Sequence, residues 1–193
     1  TGRLDKYAKQ AKVIHLDIDP AEIDKNVKAN IGVWGDCKET LPLLTSMIEQ
    51  KVYPQWLQKF KDCQQKEEDK VIKEELNPST DILTMGEVIN TLNELTKGDA
   101  VIVTDVGQHQ MFAAQYYLFD KPRRWINSGG LGTMGFGLPA AMGVQLAFRD
   151  ATVACVTGEG SIQMCIQELS TCTQYHLPVK IINLNNQALG MVK

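Results

Sequence analysis

Gly158-Glu159-Gly160-Ser161 opens an amphipathic segment. An apolar run follows this segment, and Asn185-Asn186 stands at the end of the run. One carboxylate therefore sits in a glycine turn, and two amide side chains follow it 26 and 27 residues later. The amphipathic segment and the apolar runs on either side of it predict a helix between two buried strands, with polar residues in the turns.

The neighbouring sequence repeats this pattern. Residues 100–104 (AVIVT), 152–157 (TVACVT) and 179–184 (VKIINL) are short apolar runs typical of buried strands, and helical patterns separate them. This alternation predicts an α/β fold with a parallel sheet. Ligands of such sheets bind beyond the carboxyl ends of the strands. Gly107-Gln108-His109, the glycine turn and the asparagine pair should therefore meet at one edge.

Local signals place the helices of this region. Thr84 and Glu87 form a capping-box pattern, and Gly98 should end the helix that follows. Residues 127–137 (NSGGLGTMGFG) hold five glycines and precede a helix that Pro139 should open. Ser161 is the expected N-cap of one helix whose inner face runs as far as Cys172.

The first part of the chain resembles half of a nucleotide-binding unit. Residues 12–17 and 31–34 read as strands, and a capping-box pattern at residues 19–22 predicts a helix to about residue 29. A second helix is expected over residues 38–50. Asp17 and Asp36 follow strands and could accept hydrogen bonds from ribose hydroxyls. Alternatively, Asp19 and Asp36 are only helix caps.

Residues 52–76 are rich in Lys, Glu, Asp and Gln and predict a solvated helical linker. We therefore divide the chain into a first unit at 1–50, a linker at 51–80 and the parallel-sheet domain at 81–193.

Composition excludes several classes of protein. Hydrophobic residues make up 44% of the 193, which is enough for a packed core, and the net charge of −3 gives no electrostatic reason to expect nucleic acid or an anionic membrane. No apolar run approaches the ~20 residues of a membrane span. The five cysteines lack zinc-ligand spacing, so we interpret them as reduced core thiols of a cytosolic protein.

The predicted edge has the chemistry of an anion and metal site. Gly160 and Ser161 would offer N–H groups at a helix N-terminus. Glu159 beside an anion would be repulsive without an intervening cation, and oxygen ligands favour Mg²⁺ or Ca²⁺. The Asn186 amide and the Ala188 carbonyl could complete the ligand set.

Simpler interpretations stay open for several of these residues. Gln108 and His109 could bind the far side of a diphosphate, but His109 could equally be an ordinary loop histidine. Asn185 and Asn186 could be turn formers. Met134 could be a core residue.

At this point the chain resembles a known family. GEGS followed by LNN is similar to the thiamine diphosphate motif, usually written GDG and, after a spacer, NN; 24 residues separate Gly160 from Asn185 here. VGQHQMFAAQ at 106–115, SGGLGTMGFGLPAA at 128–141 and LNNQALGMV at 184–192 resemble the large catalytic subunit of acetolactate synthase. The resemblance implies a thiamine diphosphate-binding domain preceded by part of a Rossmann-like central domain.

The resemblance also implies roles for individual residues. Side chains of Glu159 and Asn186 and the carbonyl of Ala188 would bind Mg²⁺. Contacts to a non-redox FAD are implied for Asp17, Gly35, Asp36 and Cys37. Contacts to thiamine diphosphate are implied for Gly107, Gln108, His109, Gly132, Met134, Gly160, Ser161, Met191 and Val192.

The implied activity is the condensation of two pyruvates, or of pyruvate and 2-oxobutyrate, with loss of CO₂. It would serve branched-chain amino-acid biosynthesis. The family further implies a cytoplasmic homodimer or tetramer and a possible small regulatory subunit, with no nucleic acid or membrane partner. A second hypothesis, within the same superfamily, is that the chain belongs to a pyruvate oxidase or 2-oxoacid decarboxylase. A third hypothesis is a non-catalytic binding or assembly module with a degenerate cofactor site.

Two departures from the family pattern bear on activity. Glu159 stands where Asp is usual, and its extra methylene moves the carboxylate outward by roughly 1.5 Å. The family's activating glutamate lies in an N-terminal domain that these residues do not include, and a partner subunit supplies it. We therefore expect no catalytic residue in this chain and no acetolactate formation by it alone.

Overall fold

The computed structural model describes residues 2–193. The chain forms two compact units, Thr1–Gln58 and Lys59–Lys193. The boundary between them falls inside a helix of the region that the sequence predicts as a linker. The domain limits predicted at residues 50 and 80 stay predictions.

The first unit contains a two-stranded parallel sheet of β1 (Ile14–Asp17) and β2 (Ile31–Trp34), with Ile14 opposite Ile31. A 3₁₀ turn at Leu4–Lys6 precedes it, and helix α1 (Cys37–Met47) follows it. Both strands and α1 confirm the sequence-based predictions. No residue in the range 2–58 is buried.

The helix predicted from the pattern at residues 19–22 is wrong, because residues 20–27 form turns and bends. The Asp19 carboxylate accepts a hydrogen bond from the N–H of Ala21, two residues on, as in an Asx-turn. Glu22 pairs with Lys25 instead of returning to the Asp19 N–H. Asp24 adopts a left-handed conformation with φ of +64°, which a helix cannot contain.

A helical segment follows, as predicted for residues 52–76. It consists of α2 (Pro54–Glu67), a π-helical turn at Glu68–Ile72 and α3 (Lys73–Leu76). No residue of these three elements is buried.

The second unit is an α/β domain, which confirms the predicted fold class. Its sheet has four parallel strands in the order β4-β3-β5-β6. The prediction had three strands and missed β4, which is only two residues long. The elements are α4 (Met85–Thr96), β3 (Val101–Thr104), α5 (Gln108–Tyr116), β4 (Trp125–Ile126), α6 (Gly137–Ala147), β5 (Val153–Thr157), α7 (Glu159–Gln163), α8 (Glu168–Gln174) and β6 (Lys180–Asn183).

Two apolar clusters cover the two faces of this sheet. Ile102 belongs to one cluster together with residues of α4 and α5, whereas Val101 and Val103 belong to the other with residues of α6. Successive residues of a strand point to opposite faces, so β3 contributes to both clusters. Every residue of β3 and β5 is buried. Helices on both faces therefore make the sheet a rigid frame for its carboxyl edge.

The single helix predicted from Ser161 to Cys172 is divided into α7 and α8. Gly158, and not Ser161, is the N-cap of α7. The break lies where Gly135 packs against the chain: a Cβ atom at Gly135 would lie 3.1 Å from Met164 Cβ and 3.3 Å from Cys165 Sγ. Turns with hydrogen bonds between residues three apart replace the helix there.

The cysteines are all free thiols, but they are not all core residues. Burial raises the pKa of the Cys155 thiol to about 12. Cys37 and Cys63 are exposed, so the core interpretation is wrong for these two. Within the part of the chain that the structure describes, no helix has the length and apolar character of a membrane span.

Candidate cofactor site

Three polar turns of the second unit meet at the carboxyl edge of the sheet and line one cleft. They follow β3 at Gly107, β5 at Gly158 and β6 at Leu184. The cleft has a cavity volume of about 180 Å³ and is partly open to solvent. Apart from Gly160, every position of this unit that we predict to contact thiamine diphosphate or metal lines the cleft.

His109 lies between two glycines of this edge. A Cβ atom at Gly107 would lie 2.5 Å from His109 Cε1, and one at Gly158 would lie 2.7 Å from His109 Nδ1. Both separations are shorter than van der Waals contact, so only glycine leaves room for the imidazole. The ring is wedged where the turns after β3 and β5 approach each other.

The electrostatic state of His109 suits a ligand-binding role. The side chain is only 5% exposed, and Nε2 has no hydrogen-bond partner among residues 2–193. Burial lowers the His109 pKa, although the charge and backbone of Asp105 and the charge of Glu159 partly oppose the shift. The imidazole is therefore neutral at pH 7, and an unpaired buried nitrogen of this kind costs free energy until a ligand pairs with it.

Glu159, Asn186 and Ala188 come together on one side of the cleft. The Ala188 N–H donates to Glu159 Oε1 at 2.8 Å and to Asn186 Oδ1 at 3.2 Å. One N–H group thus brings the two oxygens to the same place. Among residues 2–193, no three His, Cys, Asp or Glu side chains form a metal-binding group. A metal here would depend on one carboxylate, one amide oxygen and backbone oxygen.

Gln108 is joined to Asn186 across the cleft. The Asn186 Nδ2 group donates to Gln108 Oε1 at 2.7 Å. A Cβ atom at Gly190 would lie 2.0 Å from the same Gln108 oxygen, so the glutamine amide rests directly on the glycine backbone. No local pattern marks Gly190 as a site residue, because its contact partner lies 82 residues away in the chain.

A side-chain hydrogen bond of Ser161 links the turn after β5 to the turn after β3. Its hydroxyl donates to the Val106 carbonyl at 3.0 Å, and the residue is 1% exposed. The side chain is thus occupied within the protein, and an anion would meet backbone N–H groups at this point. A Cβ atom at Gly160 would lie 2.7 Å from Leu189 Cδ2 and 3.6 Å from Met134 Cε.

The glycine-rich segment supplies the opposite wall. Gly132 has φ of +64°, a conformation that favours glycine, and its N–H donates to the Ser128 carbonyl at 2.9 Å. Met134 is partly buried and lines the cleft, and it belongs to neither apolar cluster. Met191 and Val192 are largely exposed at the rim, 58% and 81% respectively.

Asp105 does not line the cleft but binds the backbone of segments that do, and no sequence motif singled it out. It is 1% exposed, and its carboxylate accepts hydrogen bonds from the N–H groups of Val106, Gly135 and Gly137 at 2.9, 2.8 and 3.1 Å. Its position directly after the strand predicted at residues 100–104 was the available signal, since ligand-site residues collect at strand ends.

The residues predicted to contact FAD lie in the first unit, at the carboxyl ends of β1 and β2. The Gly35 N–H donates to the Asp17 carbonyl at 2.9 Å. Asp17 Oδ1 accepts from the Asp19 N–H, and the Asp36 side chain accepts from the Lys38 N–H and caps α1. The capping alternative for Asp36 thus agrees with the structure. Cys37 begins that helix, and FAD contact by these residues stays a prediction.

Comparisons with known proteins agree with the arrangement. Residues 105–193 match the family model "Thiamine pyrophosphate enzyme, C-terminal TPP binding domain". Residues 1–44 match the model "Thiamine pyrophosphate enzyme, central domain". The two matches fall in the two units and cover both ends of the chain.

Longer relatives align with this chain over its whole length. It is similar to the acetolactate synthase isozyme 3 large subunit of Escherichia coli (54% identity over 195 residues) and to the acetolactate synthase large subunit of Haemophilus influenzae (50% over 199 residues). It is also similar to chloroplastic acetolactate synthase 1 of Nicotiana tabacum (47% over 194 residues). Each alignment covers 100% of the chain but 34%, 34% and 29% of the relative, so the chain spans about a third of their length. The chain belongs to the thiamine pyrophosphate enzymes, as a segment homologous to acetolactate synthase large subunits.

Proposed function

We propose that this chain is the diphosphate-binding and metal-binding segment of an acetolactate synthase. The observation that carries the proposal is the unpaired Nε2 of His109, buried in the cleft on which the turns after β3, β5 and β6 converge. A buried nitrogen of this kind needs a hydrogen-bond partner, and a ligand in the cleft can provide one. The names of the relatives specify the reaction, and we extend it to this chain as part of the proposal.

The donor atoms on the two sides of the cleft fit different parts of one ligand. Oxygens of Glu159, Asn186 and Ala188 would hold Mg²⁺, because hard cations prefer oxygen ligands. Gln108 and His109 would bind the diphosphate from the other side, and backbone N–H groups at Gly160 and Ser161 would meet its oxygens. The cation would separate the Glu159 carboxylate from the anion.

The walls of the cleft would orient the organic part of the cofactor. Gly132 would approach it through backbone atoms, since no side chain stands in the way there. Met134, Met191 and Val192 would supply apolar contact and exclude water. When bound, thiamine diphosphate supplies the carbanion chemistry that removes CO₂ from a 2-oxoacid and forms the new carbon–carbon bond.

The remaining parts of the proposal rest on the family resemblance of the sequence motifs. The substrates would be pyruvate and 2-oxobutyrate, and the product would serve branched-chain amino-acid biosynthesis. FAD bound by Asp17, Gly35, Asp36 and Cys37, assembly as a homodimer or tetramer, a small regulatory subunit and a cytoplasmic location are further elements of the same proposal.

Calorimetry of thiamine diphosphate binding to the chain, with and without Mg²⁺, tests the site. We expect binding that requires Mg²⁺, and we expect Glu159→Gln to weaken it by at least about tenfold, because the carboxylate charge is lost from the metal site. Glu159→Asp should retain Mg²⁺-dependent binding, since it keeps the charge. Glu168→Gln is the matched control: Glu168 lies on α8, where its carboxylate accepts from the Thr171 hydroxyl.

A second experiment tests the reaction. The chain replaces the homologous third of the Escherichia coli isozyme 3 large subunit, and acetolactate formation is assayed. We expect a Mg²⁺-dependent activity that Glu159→Gln reduces and Glu168→Gln leaves intact. Absence of cofactor binding by both the chain and the chimera would favour a non-catalytic module with a degenerate site.

A further inference from the structure

A buried carboxylate at the end of β3 binds the backbone of the glycine-rich segment. Residues 129–133 are exposed, and Leu131 is 94% exposed. Gly135 and Gly137 are buried, and the N–H groups of both donate to Asp105, to Oδ1 at 2.8 Å and to Oδ2 at 3.1 Å. The segment thus changes from solvent-exposed to buried at the point where Asp105 binds it.

The contact leaves little space for a side chain at Gly137. A Cβ atom at Gly137 would lie 3.0 Å from Asp105 Cβ, from its backbone N and from its Oδ2. Gly135 has φ of +87°, so the chain turns there in a conformation that other residues rarely adopt. The backbone at Gly135 and Gly137 therefore lies in close contact with Asp105, at positions that favour glycine.

Asp105 is also isolated from opposite charge. None of the ion pairs within residues 2–193 involves it. Three backbone N–H groups are its hydrogen-bond donors, and N–H bonds to an ionised carboxylate are about twice as strong as neutral ones. A buried carboxylate that lost these donors would be left without hydrogen-bond partners, which is costly. The three bonds thereby favour the observed arrangement of the donating backbone.

The held segment carries two residues of the cleft. Gly132 and Met134 both line it, and they lie within three residues of Gly135. On the other side, Asp105 is followed by Val106, whose carbonyl accepts from Ser161, and by Gly107, which contacts His109. Asp105 thus connects the wall of the cleft to the turn that contacts the diphosphate in our proposal.

We propose that Asp105 is a positioning residue that holds the glycine-rich wall of the cofactor site in its binding arrangement. This inference rests on the proposed function for the identity of the ligand. Its structural part, the anchoring of Gly135 and Gly137, is independent of any ligand. Asp105→Asn is the decisive change, because it keeps the size of the side chain but places an NH₂ group against an N–H donor.

Amide hydrogen exchange of the ligand-free chain tests the anchoring. In the wild type, the Gly135 and Gly137 amides should exchange at least about tenfold more slowly than those of Gly130 and Leu131. In Asp105→Asn, the two protected amides should exchange at least about tenfold faster, while the β5 amides change by less than about twofold. Unprotected amides at Gly135 and Gly137 in the wild type would overturn the proposal without any variant.

The matched control is Asp99→Asn. Asp99 lies just before β3, is 56% exposed at its side chain and pairs only with Lys121 and Arg124 in the ion pairs of the described chain. Its replacement should leave exchange at Gly135 and Gly137 unchanged. Equal effects of the two variants would assign the loss to general destabilisation and contradict a positioning role.

Cofactor binding tests the functional part. In the chimeric subunit, Asp105→Asn should raise the KM for thiamine diphosphate at least about tenfold, with the KM for pyruvate within about twofold of wild type. Equal rises in both constants, or none, would overturn the inference. If the wild type binds no cofactor, the proposed function fails, and hydrogen exchange alone decides whether Asp105 anchors the segment.

Discussion

The two units contain strands of similar sequence in very different surroundings. Ile31 on β2 is 56% exposed, whereas Ile102 on β3 is 0% exposed. The first unit pairs two strands, and the second pairs four, with helices on both faces. Strand β3 has a neighbour on each edge and a cluster on each face, and β2 has one neighbour.

The difference shows what an apolar run can and cannot predict. Such a run predicted the position of a strand in both units. Burial depends on how many elements pack around the strand, and two strands alone are marginal in water. In the second unit, buried strands hold three turns at one edge, so long-range contacts build the cleft. In the first unit, Asp17 and Asp36 are engaged by the N–H groups of residues two positions away.

The largest difference in stability is expected when one isoleucine is replaced in each unit. Ile102→Ala should lower the free energy of unfolding by about 3 kcal/mol, because it removes buried methyl groups and leaves a cavity. Ile31→Ala should cost less than about 1 kcal/mol, since most of that side chain is already in water. Urea denaturation measures both, and equal losses would contradict the contrast.

A smaller effect is expected from adding one methyl group to a glycine in each unit. At Gly158 the new Cβ would lie 2.7 Å from the buried His109 ring, and at Gly32 it would lie 2.8 Å from the Ile23 Cγ2 methyl. Gly158→Ala should cost about 2 kcal/mol, because the ring is enclosed and cannot move away. Gly32→Ala should cost under about 1 kcal/mol, because Ile23 is only partly buried and can change rotamer. Thermal unfolding distinguishes the two, and a larger cost at Gly32 would reverse our interpretation.

The smallest effect is a pH dependence of stability that originates in the second unit. Burial lowers the His109 pKa in the folded chain below its ordinary value of 6.5. The unfolded chain therefore binds this proton more tightly, and the free energy of unfolding should fall as the pH drops below about 6.5, by at most about 1.4 kcal/mol per pH unit. Chemical denaturation between pH 5.5 and 7.5 measures the slope.

The variant His109→Asn provides the control for that slope. It cannot take up the proton, so its stability should depend less on pH over the same interval, whatever its absolute stability. An identical slope in the two proteins would show that another group is responsible.

Much of the second unit was predictable from sequence because its signals are local or periodic. The capping box of Thr84 and Glu87 forms as expected, with both reciprocal hydrogen bonds present. The apolar runs around residues 101, 153 and 180 became parallel strands, and topology then brought their polar turns to one edge. That convergence needed no knowledge of side-chain contacts.

What the sequence could not predict depends on contacts between distant residues. Asp105 acquires its importance from N–H groups 30 and 32 residues away. The break between α7 and α8 lies where Gly135 packs against Met164, which helical periodicity does not reveal. At residues 19–29, local side-chain hydrogen bonds competed successfully with a helix that the same residues also favour.

The hydrogen bond between Asn186 and Gln108 has a thermodynamic consequence. Because the two amides are joined at 2.7 Å, a ligand that immobilises one also restricts the other. A cation held by Asn186 would therefore reduce the conformational entropy that an anion must still overcome at Gln108. Linkage makes the effect reciprocal, so the anion would strengthen cation binding by the same factor. A single hydrogen bond can in this way make the two halves of the site cooperative.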